Sequence, residues 1–502
     1  LAFAEAQRHF ERALELWDQV PDPAMHTERN ELLEQAADVA LWVGNVDRAL
    51  ELVRQALAEV DKARAPIRAG VLHERLGRGL WRDADNEGAL AAFVEASRLL
   101  AGAGATPERA RAIAAEGAAL MIAGRYSESR ARCQEAIAIA ETIDAGKERG
   151  FALSALGVSL TMLGDVRGGI DALRRAQAIA EKSGDFEDLY RVYGNLSFTL
   201  DVAGQLEEAV EVALRGLEVA GKLRIEESTV GATVLLNATD LLIILGRWQE
   251  AADLVRNVPH LDKNARFGPY LEVSRAQIDL SVGRFDSARQ HLQVARRASS
   301  LTEPNFLGLL HSALAELAIW EGDQVEARAA VREGFERLGS NEDDRAVLRL
   351  CAMALRAEAD EAELARGTGS THAVEAGRAR GAALLARARE QHQASSLPEA
   401  RCLAGLCNAE HARLEADLHP ALWEATATAW EELRHRYRAA YARWRHAEAL
   451  LLSGARAHGA TILRQAHRAA QDIHALPVRR ELESLAHRNG VELWQPTTDA
   501  RT

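Results

Sequence analysis

Apolar residues fall at i, i+3, i+4 and i+7 along most of the chain, the period of helices with one buried face. Around residue 160, Leu153, Leu156 and Leu160 share a face before a turn, and Ile170, Leu173 and Ala176 share one after it. The turn runs from Gly164 to Gly169. Its pattern, a small residue, four residues, then a small residue, recurs at Gly44–Ala49, Ala84–Ala89, Gly124–Ser129 and Gly204–Ala209, so five turns stand 40 residues apart (84 − 44, and so on). Gly246–Ala251, Gly283–Ala288 and Gly322–Ala327 follow at similar spacing. A fixed period of this size predicts stacked helical hairpins, an all-α solenoid. A glycine just past a helix accepts the left-handed backbone of a C-cap. A small residue on the next helix lets the pair pack closely. Thr106-Pro107-Glu108 reads as an N-cap, a first-turn proline and an acidic first turn.

The repeated hairpin resembles the tetratricopeptide repeat, with a period longer than the usual ~34 residues. The expected fold is therefore a tetratricopeptide-like superhelix (α-solenoid). After residue 338 the rhythm loosens. A long helix is expected over 345–366, broken at Gly367-Thr-Gly-Ser370, with a second running to about 393. Further helices are expected from Leu397-Pro398, over 423–433, 437–452 and 458–474, and from Pro477 to about 487. This divides the chain into a regular array over 1–338, less regular repeats and a cap over 339–490, and a linker or tail over 491–502. Leu1 falls inside a repeat unit, so the array reads as cut at its first unit, and the chain as a piece of something longer.

Composition agrees with this picture. Charged residues make up 27% and aromatic residues 5%, and Ala, Leu, Glu and Arg dominate, which favours helix. The net charge of −13 argues against a chain that binds nucleic acid as a whole. Within it, 434–480 carries ten arginines against Glu448 and Asp472. That makes either a basic patch for nucleic acid or an acidic partner, or a solvated face. Four scattered cysteines, Cys133, Cys351, Cys402 and Cys407, suit buried reduced thiols. No apolar run approaches the ~18 residues a membrane helix needs, and no signal peptide is visible, so a cytoplasmic location is expected.

Candidate chemistry is sparse. Gly216-Leu-Glu-Val-Ala-Gly221-Lys222 has phosphate-loop spacing, but Leu223 stands where Ser or Thr should hold magnesium, and the segment closes a helix instead of opening one. The Gly77-Arg-Gly79 and Gly102-Ala-Gly104 pairs read as packing or turn glycines. Late histidines, including His435 and His446, lack metal-ligand spacing and read as solvated. Asn195 and Asn237 each precede the small residue of the second helix by fourteen positions (209 − 195 and 251 − 237). They either hold a bound peptide backbone on the concave face or bond to the adjoining helix. Met121, Met162 and Phe198, with Ile122, Val158, Ile243 and Ile244, project toward the same face, as a ligand groove or as superhelical packing. No nucleophile–base pair or paired acids stand out, so no catalytic, metal or cofactor site is expected within this chain.

The stretch Trp430-Glu-Glu-Leu-Arg-His-Arg-Tyr437-Arg-Ala-Ala-Tyr441-Ala-Arg443-Trp-Arg445-His-Ala-Glu448 resembles the end of the helical region in large bacterial LuxR-type, maltose-regulator-like transcriptional regulators. Gly454, Ala466-His-Arg-Ala-Ala470 and Leu476-Pro477-Val-Arg-Arg-Glu-Leu continue the likeness, and Arg349-Leu-Cys-Ala-Met-Ala-Leu-Arg356 and Leu245-Gly-Arg-Trp248 are similar too. Arg436 departs from it where the family has proline, and Ile473-His-Ala475 where it has Leu-Gly-Ala. The resemblance implies a sensor array between a signal-transduction ATPase domain and a DNA-binding helix-turn-helix. ATP and magnesium would belong to the parent protein, and the array would couple an effector or partner to those domains. The alternative is a free-standing helical-repeat adaptor for protein–protein interaction.

Overall fold

A computed structural model describes residues 2–19, 28–223, 229–256, 258, 261, 264–298 and 300–493. Leu1 and the tail from 494 onward, on which the truncated first unit and most of the linker were placed, lie outside the described residues. The elements are α-helices joined by short turns, with two 3₁₀ turns, and no strand occurs among the described residues. After a first helix (Ala2–Leu16) the chain runs as successive hairpins, beginning with Arg29–Trp42 and Val46–Glu59. The pairing continues past 338, through Asp344–Thr368 with Thr371–Ala394, Pro398–Leu414 with Pro420–Glu432, and Arg436–Leu452 with Arg456–Asp472. A single helix, Leu476–Asn489, closes the stack.

The recurrent turn works by two local devices. At Gly164 the backbone is left-handed (φ 94°), and the Gly164 and Asp165 amides donate back to Thr161 O and Leu160 O at 2.9 Å each. Asp165 then caps the next helix by accepting from the Gly168 amide at 2.9 Å. Ala84 (φ 64°) and Asp85 do the same two periods earlier, so the turn tolerates a side chain. The second small residue has a different duty. A Cβ on Gly157 would lie 2.5 Å from Leu173 Cγ and 2.7 Å from Gly169 O, so this hairpin crosses glycine on glycine.

The stack coils until later repeats meet earlier turns. Arg266 donates to Trp81 O and Asn86 Oδ1, both at 2.9 Å. The Glu342 amide donates to Gly124 O at 2.8 Å, and the Glu342 carboxylate accepts from the Ser127 amide and hydroxyl, both at 2.7 Å. Gly164 faces Ser396, Gly204 faces Leu433 and Pro398, Gly246 faces Ile473, and Gly283 faces Leu476 and Pro477. The result is a seam along which two arcs of the coil touch. One hydrophobic core crosses that seam, joining Tyr126, Val158, Met162 and Val202 to Leu348, Cys407, Trp430 and Tyr441. The first repeats pack separately, around Leu33, Leu52 and Leu72.

Candidate ligand cleft at the seam

The interior of the coil is mostly filled by its own side chains. A cleft of about 160 Å³, lined by both charged and apolar side chains, lies where the arcs face each other; a larger groove of about 700 Å³ runs between Leu385, Arg401, Asn408 and Leu422 in the later repeats. The array contributes Phe198 and Asp201 from the helix Phe186–Val202, and Asn237 and Asp240 from Thr229–Ile244. It also contributes Asn305 from Pro304–Glu321, and the later repeats contribute Arg345, Arg349, Glu399, His435 and Arg438.

Glu399 organises one wall. It sits in the first turn of its helix, behind Pro398, where the helix dipole favours a carboxylate. Arg349 Nη2 donates to both Glu399 oxygens at 2.9 Å, and Arg345 Nη1 donates to Oε2 at 3.2 Å. Burial opposes the Glu399 charge, but the guanidiniums of Arg349 and Arg345 outweigh it and hold its carboxyl well below the usual range. Arg345 is 1% exposed, its Cζ lies 5.1 Å from the Phe198 ring, and its Nη2 has no hydrogen-bond partner. Arg438 lies over the Trp430 ring, with Cζ 4.9 Å from the centroid. Three guanidiniums thus border the cleft beside two carboxylates: Glu399, which Arg345 and Arg349 hold, and Glu316, which accepts from Tyr437 Oη at 3.1 Å and Trp320 Nε1 at 3.3 Å.

The opposite wall is acidic. Burial, with Glu399 nearby, pushes Asp201 up to about 7. Burial raises Asp240 to about 6, against the Ser274 hydroxyl, which donates to Asp240 Oδ1 at 2.9 Å. Burial lowers His435 to about 3, so its ring is neutral at physiological pH. Beyond this cleft, a second group of interior charges is mutually paired. Arg413 Nη1 and Arg445 Nη2 meet Asp360 Oδ1 at 2.7 and 3.1 Å, and Tyr441 donates to Glu410.

The residues singled out from the sequence fall in different places. Phe198 and Asn237 line the cleft. Asn237 Nδ2 also donates to Gly194 O at 2.8 Å and Ser197 Oγ at 3.1 Å. Asn195 lies outside the cleft lining and donates to Ser154 Oγ at 3.0 Å. Met162 is buried in the shared core, and Met121 packs against that core. The histidine reading needs correction: His446 is 1% exposed and packs edge-to-face on His458, and His435 borders the cleft, because the helix Arg436–Leu452 is wrapped by later and earlier repeats.

Several arginines of 434–480 are engaged locally. Arg434 pairs with Glu207 and Arg443 with Glu431, both at 2.6 Å, while Arg456 and Arg464 donate to the Asn489 and Glu492 carbonyls. Gly216 lies inside the helix Leu206–Leu223 with Val234 and Tyr193 against it, as a packing glycine. All four cysteines are buried and free. Among the described residues no cluster of His, Cys, Asp and Glu is arranged to hold a metal ion, and no helix is long and apolar enough to cross a membrane.

Arg345, Arg349, Glu399, Asp201 and Asp240 were not picked out from the sequence. The one visible signal was Arg345, Arg349 and Arg356 inside an otherwise apolar helix face.

No family model and no curated sequence matches the chain. Solved structures do share its fold. A Rap protein complexed with competence and sporulation factor aligns over 67% of this chain and 97% of its own, at 11% identity and a TM-score of 0.50. A Rap conjugation gene regulator in complex with a Phr peptide covers 67% and 90%, at 15% identity and 0.46. A signal-transduction ATPase with a tetratricopeptide repeat sensor from Pyrococcus horikoshii covers 58% of this chain and 43% of its own, at 14% identity and 0.36. The chain is an all-α tetratricopeptide-like solenoid.

Proposed function

We propose that this chain is a helical-repeat interaction module whose coil is set by an effector in the seam cleft, and whose outer faces present that setting to a partner protein. The observation that carries this is the origin of the lining: Asp201 and Asn237 come from one arc, Arg345, Glu399 and Arg438 from the other. A ligand touching both arcs binds the closed coil and not an opened one. It therefore shifts the population by its differential affinity for the two forms. The Rap protein in complex with competence and sporulation factor fits this reading, as a chain of the same fold that holds a factor. No reaction is assigned to the module, and its setting is the cytoplasm.

The reading requires the seam to open more easily than the helices melt, and hydrogen exchange tests that. The Glu342 amide donates to Gly124 O and the Ser127 amide to Glu342 Oε2 across the seam. These amides are expected to exchange about tenfold or more faster than those of the buried helix Pro304–Glu321, as a lower-energy opening unit does. Seam amides as slow as that helix would overturn the proposal.

A more specific reading places the module in the middle of an ATP-dependent LuxR-type regulator, coupling the effector to ATPase and DNA-binding domains. The sequence resemblance over 423–487 favours it. The flanking reading frame tests it: a phosphate-binding loop upstream and a helix-turn-helix downstream are expected, and an intact frame with neither leaves the free-standing adaptor.

A further inference from the structure

We infer that the seam cleft binds a small zwitterion, a free α-amino acid with an aliphatic side chain, its ammonium on the Asp201–Asp240 wall and its carboxylate on the Arg345–Arg438 wall. This rests on the effector reading above and names the effector's chemistry.

Three observations converge on it. The first is unspent bonding capacity. Arg345 is 1% exposed, lines the cleft, and has an Nη2 without a partner. A buried guanidinium N–H without an acceptor is costly, and a carboxylate is the acceptor that best suits it. Arg438 borders the same space and meets the face of Trp430. The second is the opposite wall. Asp201 and Asp240 also line the cleft, and the hydroxyl of Ser274 is the donor on Asp240. Burial has already raised both acids. An ammonium group arriving there supplies the positive charge that lets them ionise. Glu316 also lines the cleft but is engaged by Tyr437 and Trp320, so the guanidinium side asks for an anion and the Asp201–Asp240 side for a cation.

The third observation is size. At about 160 Å³ the cleft is close to the ~150 Å³ that encloses one benzene-sized molecule. That matches one small molecule lying between the two arcs. Phe198, Leu241 and Ile244 supply the apolar part of the lining, which suits an aliphatic side chain.

Thermal melting and calorimetric titration of the full chain test this with L-valine, L-leucine and L-isoleucine, each beside its N-acetyl and its α-amide derivative. At least one free amino acid is expected to raise the melting temperature. Blocking either charge should weaken binding about tenfold or more, the loss of one charge-assisted hydrogen bond. Asp201→Asn should weaken the amino acid by a similar factor while leaving the helical spectrum intact. Derivatives that bind as well as their parents would overturn the zwitterion, and so would the absence of any shift across the panel. Fast seam exchange with no response to amino acids would retire this inference and leave the sensing coil standing. Slow seam exchange would retire the coil reading first.

Discussion

At the scale of single residues, the cleft holds two kinds of buried acid with opposite pH behaviour. Glu399 is held below its ordinary range, so its stabilising effect is present above the unfolded carboxyl pKa and disappears as pH falls. Removing its charge with Glu399→Ala leaves Arg345 and Arg349 facing each other in the interior. Breaking a buried pair from one side costs about 3–5 kcal/mol, and urea unfolding should register a loss of that order. Asp201 behaves in reverse. Its folded pKa of about 7 lies above the unfolded value of ~3.9, so between those limits the folded chain holds the extra proton and stability falls as pH rises. Asp201→Asn should therefore raise the urea midpoint more at about pH 8 than at about pH 5. An equal gain at both pH values would show that Asp201 is not desolvated. The substitution that stabilises the chain is also the one expected to weaken the amino acid, as befits a site that sacrifices stability for binding.

At the scale of elements, the hairpin turn was legible and the crossing beside it only half so. Eight turns stood out because left-handed glycine and a small residue recur at fixed offsets, signals that sit within a few residues of each other. What Gly157 and Gly169 do together was hidden, since each reads alone as an ordinary small residue, yet the Gly169 carbonyl occupies the place a Gly157 side chain would need. Gly157→Ala should force the helices Gly146–Met162 and Val166–Ser183 apart and cost about 1–3 kcal/mol in denaturant unfolding, the penalty for overpacking. Gly102→Ala is the matched control. Nothing lies within 4 Å of its Cβ position, and its change should be neutral or stabilise by up to ~1 kcal/mol. The later helices fall within a few residues of their expected places, because Pro398 and Pro477 mark first turns, while the helix expected from 423 begins at Pro420.

At the scale of the whole molecule, the closure of the coil had no signature in the sequence. Its contacts join residues 185 and 215 positions apart and run through backbone carbonyls, a capping-turn glutamate and ordinary apolar side chains. No periodicity links such partners, and the cleft they enclose was invisible for the same reason: Glu399 and Asp201 become neighbours only once the arcs meet. The seam can be tested by covalent capture. A Cβ on Gly164 would lie 4.0 Å from Ser396 Cβ, inside the 3.5–4.5 Å span of a disulfide. The pair Gly164→Cys and Ser396→Cys should therefore oxidise spontaneously, closing a loop of 232 residues (396 − 164). Loop closure of that length stabilises by about 5 kcal/mol in the chain-entropy picture. Against it stands roughly 1–2 kcal/mol for a side chain in the left-handed turn, a conformation that Ala84 already adopts at the equivalent position. The four native cysteines are buried, so a cross-link should form at the new pair alone. The oxidised chain should melt higher than the reduced one and show slowed exchange at the Glu342 amide. Cysteines that stay reduced under air would mean that the arcs do not meet, and with them would go both the cleft and the sensing mechanism built on it.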